Sequence, residues 1–269
     1  MTESDMWKTR VLWMRERFVD LFFSKICVFC GRILPIEKNA AEIFFAKEMN
    51  LCRKCLAILP VRLPIDQILT DSIEVEHDET EKSFHMYMPF FYEKQMISIL
   101  RLLKFNEGLF LSKPLGFFMA MIAKDHGLVP DIILPAPLSP KRQRERGYNQ
   151  AFLLAKELSG WLDKPVVEDC LFRVKDTKRQ SEIEDSAMRR LNVDDAFAVS
   201  DLWDVEGLRI LIVDDIFTTG ATMISAARAL LKAGALNVVG IAAASGRTGR
   251  ETGIMSEPDA SEAHVFEPS

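Results

Sequence analysis

The sequence predicts an α/β protein, a mostly parallel sheet flanked by helices, with a small cysteine-rich module near its N-terminus. Three observations predict it. Short apolar runs at 131–138, 210–213 and 238–244 have the length of buried strands, and the first two lead into apolar residues at helical spacing. The second run ends in two acids and a turn of small and hydroxylated residues, ILIVDDIFTTGAT over 210–222. Four of the five cysteines fall in two CxxC pairs.

Composition narrows the class. With 48% hydrophobic and 27% charged residues, 269 residues suffice for one large globular domain and a small appendage. A net charge of −5 gives no global attraction for nucleic acid, so any such site must be a local patch. No apolar run reaches the ~18 to 20 residues that cross a bilayer. Residues 1–5 are acidic and the apolar residues beyond them are broken by charges, so no secretory leader is expected. A cytoplasmic location, where thiols stay reduced, is the expectation that follows.

Residues 1–25 begin the chain. Trp7, Val11, Leu12, Met14, Phe18, Val19, Leu21 and Phe22 lie between charges and predict an amphipathic helix over 6–25. Packing on the body of the protein is expected of it, with a membrane-surface helix as the alternative. The next module is 26–64, ending at Pro60 and Pro64. Cys27 and Cys30, then Cys52 and Cys55, each enclose two residues, enough to turn a knuckle with both sulfurs facing one point. Four thiolates in a reducing compartment suit tetrahedral Zn²⁺, which makes this a zinc-ribbon module with a closed, structural site. The spacing also admits an iron–sulfur cluster. Two disulfides or four free thiols would satisfy it as well, though a reducing compartment disfavours the disulfides. Cys170 stands alone and reads as a small buried apolar residue.

Residues 74–82 are dense in charge and predict a solvated linker. Phe84, Met86, Met88 and Phe90 then alternate as in a half-buried strand, with His85 on its other face. His77, His126 and His264 sit in polar surroundings and form no ligand set. Met96, Ile99, Leu100 and Leu103 make one face of a helix over 93–105, with Arg101 and Lys104 off that face. Asn106 and Gly108 supply the turn to a second apolar helix at 114–124. The strand at 131–138 runs into SPKRQRERGYNQ, where Lys141, Arg142, Arg144 and Arg146 place four cations in six residues. That stretch predicts a basic loop, with Gly147 as a turn residue and Asn149 capping the helix of Ala151, Phe152, Ala155, Leu158 and Leu162. An anion site at the carboxyl edge of the sheet is one use for it, and a nucleic-acid patch is the other. Further on, 165–168 predicts a short strand and 173–182 a polar, mobile loop. Residues 184–192 predict a helix, 196–199 a strand and 203–207 a turn. Beyond the last strand, 246–269 is rich in Gly, Ser, Glu and Pro and predicts disorder.

The stretch at 210–222 combines two features. Strand, tight turn and helix aim free backbone N–H groups at an anion, and Gly220 lets the backbone approach a ligand. Asp214 and Asp215 would repel bare phosphate but can accept hydrogen bonds from vicinal ribose hydroxyls. The whole run resembles the phosphoribosyl pyrophosphate (PRPP) motif of type I phosphoribosyltransferases. With CxxC…CxxC, the basic ILRLLKF helix, PAPLSPKRQRERGYNQ and RVKDTKRQSE, it is similar to the ComF family, competence-associated proteins also called amidophosphoribosyltransferase-like. The likeness runs from about Ile26 to Ala244. Tyr148 stands where Phe is more usual in that family and Ala136 where Val is common.

The resemblance implies a type I phosphoribosyltransferase-like domain over 84–245. It implies that Asp214, Asp215, Thr218, Thr219, Gly220, Ala221 and Thr222 hold PRPP, with Asp214 and Asp215 also catalytic. Lys141, Arg142, Arg144 and Arg146 fall on the pyrophosphate-contacting loop. Lys178 and Arg179 fall on the flexible loop that closes over substrate. Cys27, Cys30, Cys52 and Cys55 fall on the family's zinc module. Mg²⁺ would accompany PRPP, and the reaction would transfer a phosphoribosyl group to an unnamed acceptor, releasing pyrophosphate. The family's link to DNA uptake implies a competing role, a PRPP sensor or single-stranded-DNA-binding module that turns nothing over. A third reading is a purely structural protein whose ribbon docks a partner.

Overall fold

The computed structural model describes residues 25–34, 49–74, 81–174 and 196–246. The expected helices at 6–25 and 184–192, most of the loop at 173–182 with Lys178 and Arg179, His77, His264 and the tail from 247 on lie outside the described residues. The chain divides into two compact units, with the break between Ile58 and Leu59.

In the first unit, Ile26 and Ile33 bridge as an antiparallel pair around a turn, and helix α1, Arg53–Ile58, closes the described part.

The second unit is built on a six-stranded sheet. Its strands are β1, Ile68–Glu74; β2, Glu81–Tyr87; β3, Phe90–Phe91; β4, Ile132–Pro135; β7, Arg209–Phe217; and β8, Asn237–Ser245. The order is β1-β2-β8-β7-β4, with β3 also on β8. Only β1 and β2 pair antiparallel; β2–β8, β3–β8, β8–β7 and β7–β4 are parallel. Strands covered on both faces need apolar residues in succession, which is why β7 and β8 read as unbroken runs. A short antiparallel ribbon, β5 (Leu171–Arg173) with β6 (Phe197–Val199), stands apart from the sheet.

Helices cover both faces. Helix α6, Ala221–Lys232, turns Met223, Ala226, Ala227 and Leu230 onto Phe84, Met86, Leu134, Ile210 and Ile212. Helices α2 (Gln95–Leu103), α3 (Ser112–Asp125) and α5 (Gln150–Leu162) carry the remaining large apolar stripes. In α2 the buried set is Met96, Ile99, Leu100 and Leu103, the face expected from the spacing. Phe117 of α3 meets Trp161 of α5 edge to face at 5.2 Å. A Cβ on Gly240 would run into the sulfur of Met86, so β8 needs glycine where β2 presses closest.

Two expectations change. The supposed linker at 74–82 is instead the ends of β1 and β2, with 75–80 outside the described residues. Strand β1 is hard to see in sequence because only Leu69 and Ile73 of its described side chains are buried; it is an edge strand, where charge discourages pairing with other chains. The strand expected at 165–168 is reduced to one parallel bridge, Val166 to Ile133, extending the sheet past β4.

The start of the second unit is pinned by a buried arginine. Arg62, 1% exposed, donates through Nε to Phe90 O (3.1 Å), through Nη1 to Asp66 O (2.7 Å) and through Nη2 to Ser245 O (2.7 Å). Its guanidinium also lies over the Phe91 ring at 4.3 Å. Burial pushes the group down to about 10, so it stays charged at neutral pH. Three carbonyls at the ends of three segments thus share one cation, and removing it takes a donor from each. Arg62→Ala is expected to lower the unfolding free energy by roughly 3 kcal/mol or more, read from urea denaturation midpoints.

Candidate functional site

The site lies where β7 outruns its neighbour. Pairing of β7 with β4 ends at Val213–Pro135, and Ala136 N donates to Val213 O (2.8 Å) before the chain turns away. On the other side β7 stays paired with β8 as far as Phe217–Ser245. The strand therefore includes both acids, rather than stopping before them as the apolar pattern implies. One flank of Asp214 and Asp215 is freed at the carboxyl edge of the sheet, where α/β folds open a ligand crevice.

Both acids are half-buried. Alternation sends them toward opposite faces, Asp214 with Ile210 and Ile212, Asp215 with Leu211 and Val213. The Asp214 carboxylate folds back, its Oδ1 accepting the Asp215 N–H at 2.8 Å. Burial, and next the Asp215 charge, hold the Asp214 carboxyl well above the usual carboxylate range. Asp215 Oδ2 is buried and receives no hydrogen bond among the described residues. Lys104 Nζ lies 3.7 Å from it.

After β7 the chain turns through Thr218, Thr219 and Gly220 into α6. Gly220 is the N-cap at φ 86°, and a Cβ there would lie 2.8 Å from the Phe217 ring, so the turn requires glycine on both conformational and packing grounds. Ile224 N makes the first bond of the helix, to Gly220 O (2.8 Å), and Ala221 N donates to Thr219 Oγ1 (3.4 Å). The helix offers no acceptor to the N–H groups of Thr222 and Met223. Thr218, Thr219 and Ala221 are exposed. These features make an anion-receptive turn.

The basic stretch departs from its expected form. Residues Pro140–Arg146 are a helix, α4, and not a loop. Ser139 caps it by accepting from Arg142 N (3.3 Å), proline occupies the first turn, and Gly147 ends it at φ 74°. Charge density suggests a loop, but Ser-Pro before and Gly after are helix signals of equal strength. Helical geometry spreads the cations. Lys141, Arg142 and Arg144 are exposed, Lys141 lies 3.9 Å from Glu145, and Arg146 donates to Gln150 Oε1 (2.9 Å). The residues after α4 act as clamps. Tyr148 OH donates to Leu103 O (2.6 Å); Asn149 Nδ2 donates to Ala136 O (3.0 Å) while its Oδ1 caps α5 at Ala151 N (3.0 Å).

The family description "Phosphoribosyl transferase domain" matches residues 148–256, which include the acid pair and the anion turn. Competence protein F of Haemophilus influenzae is 33% identical over 149 residues, covering 53% of this chain and 65% of that protein. Competence protein ComFC of Bacillus subtilis (strain 168) is 38% identical over 103 residues, 38% of this chain and 39% of that protein. DNA utilization protein YhgH of Escherichia coli (strain K12) is 36% identical over 110 residues, 41% of this chain and 47% of that protein. The chain is similar to these competence and DNA-utilization proteins over the matched stretches. The matched stretches span from about two fifths to just under two thirds of these relatives' lengths. The second unit has the phosphoribosyltransferase-like fold, a mostly parallel sheet flanked by helices.

Two further residues at the site, Lys104 in ILRLLKF and Arg173 in RVKDTKRQSE, have no site role assigned from the sequence. Lys104, at the end of α2, faces Asp215. Arg173, at the end of β5, donates through Nε to Pro137 O (3.2 Å), brings Nη2 within 3.5 Å of Thr222 Oγ1 and stacks on Phe197 at 5.0 Å. It joins the start of the basic segment to the anion turn. The signal for Lys104 is a cation off the apolar face in the last turn of a helix; for Arg173, it is a cation in a strand-length apolar stretch, LFRV.

In the first unit the four thiols converge, all Sγ atoms lying within 4.8 Å of one another. The hairpin closes through Cys27 N to Arg32 O (2.7 Å) and Gly31 N to Cys27 O (2.8 Å), with Gly31 at φ 68°. The second pair opens α1, and Cys55 N points at Cys52 Sγ (3.4 Å). All four are free cysteines, and this group could hold a metal ion. Among the described residues no helix is long and apolar enough to cross a membrane.

The raised Asp214 carboxyl has a consequence for stability. The folded chain keeps this proton at a pH where the unfolded chain has released it. Stability is therefore undiminished below about pH 4, the unfolded value, and declines as pH rises toward the folded value. Asp214→Asn is expected to be more stable than wild type at pH 7, with the gain vanishing below about pH 4. Denaturant midpoints of both proteins at the two pH values check it; an equal gain at both would contradict the charge account.

Proposed function

We propose that this protein is a member of the ComF family that binds Mg²⁺–PRPP and transfers its phosphoribosyl group to an acceptor, with release of pyrophosphate. The observation that carries this is the continuity of β7, acid pair, Thr/Gly turn and α6 N-terminus: hydroxyl-accepting carboxylates stand directly before a phosphate-receptive turn. Asp214 and Asp215 accept the ribose hydroxyls. Thr218, Thr219, Gly220, Ala221 and Thr222 hold the 5′-phosphate through backbone N–H groups and hydroxyls. The reacting C1 passes through an oxocarbenium-like state as its bond to pyrophosphate breaks and a bond to the acceptor's nucleophile forms. The acid pair offsets the positive charge that develops on the ring. Cations of the α4 segment, Lys141, Arg142, Arg144 and Arg146, attract the leaving group, and the loop with Lys178 and Arg179 closes to exclude water. Asp215 Oδ2, a buried acceptor without a hydrogen-bond donor among the described residues, suits a site that takes a cation-bound diol. Mg²⁺, when bound with PRPP, spreads the charge of the diphosphate.

The cysteine cluster supports structural zinc. Zn–S bonds of about 2.3 Å put tetrahedral sulfurs about 3.8 Å apart, and Cys30 Sγ and Cys52 Sγ are 3.8 Å apart. With four thiols the site has no open position for a substrate.

The names of the relatives support a place in competence or DNA use. A second reading, a PRPP sensor or single-stranded-DNA-binding module without turnover, is favoured by the exposure of Lys141, Arg142 and Arg144 on α4, where they meet a long polyanion as readily as a small one.

Thermal unfolding tests the first reading. Mg²⁺–PRPP at about 100 times its dissociation constant stabilises by about 2.7 kcal/mol, a midpoint rise of roughly 5–10 °C that Asp215→Ala is expected to abolish. Pyrophosphate release on addition of candidate acceptors then separates enzyme from sensor. Salt-sensitive single-strand binding with no response to PRPP would favour the DNA-binding module. For the ribbon, metal analysis is expected to find one zinc per chain, lost in Cys52→Ser; unchanged metal content would refute the four-thiolate site.

A further inference from the structure

We propose that Lys104 is the exchangeable counter-ion of the acid pair. In the ligand-free protein it neutralises Asp215, and when PRPP binds it transfers to the pyrophosphate group, whose charge then replaces the carboxylate as its partner. The second half of this proposal rests on the PRPP reading; the first half does not.

Three observations carry it. The contact is loose: Nζ and Oδ2 are 3.7 Å apart, longer than a charge-assisted hydrogen bond of about 2.7–2.9 Å. Asp215 Oδ2, itself buried, receives no hydrogen bond from the described residues, so the pair holds Asp215 by charge alone and leaves that acceptor unused. The side chains are 28% and 14% exposed, which places the pair at the edge of the crevice, shielded but reachable.

The backbone that carries Lys104 is held from two directions. Tyr148 OH, just beyond α4, grips Leu103 O at 2.6 Å. Gly108 lies so close to Leu102 O that a Cβ would collide with it. Lys104 N itself donates back to Arg101 O and Leu102 O, closing α2. A rigid base with a flexible four-carbon stem suits a cation that swings between two nearby anions. The Tyr148 clamp also ties that base to the segment that follows α4. With the 5′-phosphate of PRPP assigned to the turn before α6, the diphosphate on C1 is the anionic group left as a second partner for Lys104. Lys141, Arg142 and Arg144 are exposed on α4, whereas Lys104 stands directly beside Asp215.

The test has a ligand-free arm and a ligand arm. In the first, thermal midpoints of wild type, Lys104→Met, Asp215→Asn and the double variant are compared without ligand. Lys104→Met alone is expected to lower the midpoint, and Asp215→Asn in the same chain to restore it; equal effects of Lys104→Met in both backgrounds would overturn the pairing. In the second, isothermal titration compares Mg²⁺–PRPP with ribose 5-phosphate. Lys104→Met is expected to weaken PRPP at least tenfold and ribose 5-phosphate less than twofold, while Lys104→Arg keeps PRPP within about threefold of wild type. Equal losses for both ligands would overturn the transfer to pyrophosphate and leave Lys104 a neutraliser of the acids. If wild type binds neither ligand, the PRPP reading and the transfer both fail, and the ligand-free arm still decides the pairing. Should Lys104→Met not fold, Lys104→Gln carries the same comparisons.

Discussion

Two like-charged carboxylates at the end of a buried strand are the constraint that the second unit is arranged around. Neighbouring acids out of water repel one another and lose hydration together. The fold relieves this by three means. Asp214 folds onto the Asp215 amide, its proton is held more tightly than usual, and Lys104 stands off Asp215. Asp215 Oδ2 still lacks a hydrogen bond among the described residues. The acids can be tolerated at all because β4 leaves the sheet at Pro135 while β8 continues, giving the pair one supported side and one open side.

Much of the surrounding sequence works on backbone rather than on ligand. The run RGYN after α4 looks at first like part of an anion loop. In the fold, Tyr148 and Asn149 hold the carbonyls of Leu103 and Ala136, fixing the helix that bears Lys104 and the exit of β4. Arg173 binds Pro137 O and reaches Thr222 Oγ1 from the separate β5–β6 ribbon. Each of these bonds links segments that are distant in sequence but border one crevice. Arg62 does the same at another corner, gathering the carbonyls of Asp66, Phe90 and Ser245. Buried carbonyls at the ends of strands and turns need donors, and long polar side chains are the means of supplying them across such gaps.

Legibility varies with how local the determining physics is. The acid pair, the Gly220 turn and α6 form one contiguous run, and each step follows from a short-range rule: apolar succession for the strand, positive φ for glycine, helical spacing beyond it. The inward face of α2 is equally plain, since Met96, Ile99, Leu100 and Leu103 recur at one period. The two CxxC pairs announce their convergence because two intervening residues suffice to bring sulfurs together. Strand β1 is not legible: an edge strand buries little and bears charge, so its composition resembles a linker. The basic segment misleads because its charge density masks the Ser-Pro start and Gly end that specify a helix.

By itself the sequence determined the strand–turn–helix at 210–222, the apolar faces of the helices and the cysteine knuckles, because backbone preference and hydrophobic period act over a few residues. Tertiary structure alone decided that Lys104 faces Asp215, that Tyr148 and Asn149 serve as clamps, and that Lys141, Arg142 and Arg144 of α4 are exposed. Those outcomes depend on where α2, β4 and β7 are brought together by the core they share, and no local rule encodes a meeting between segments so far apart.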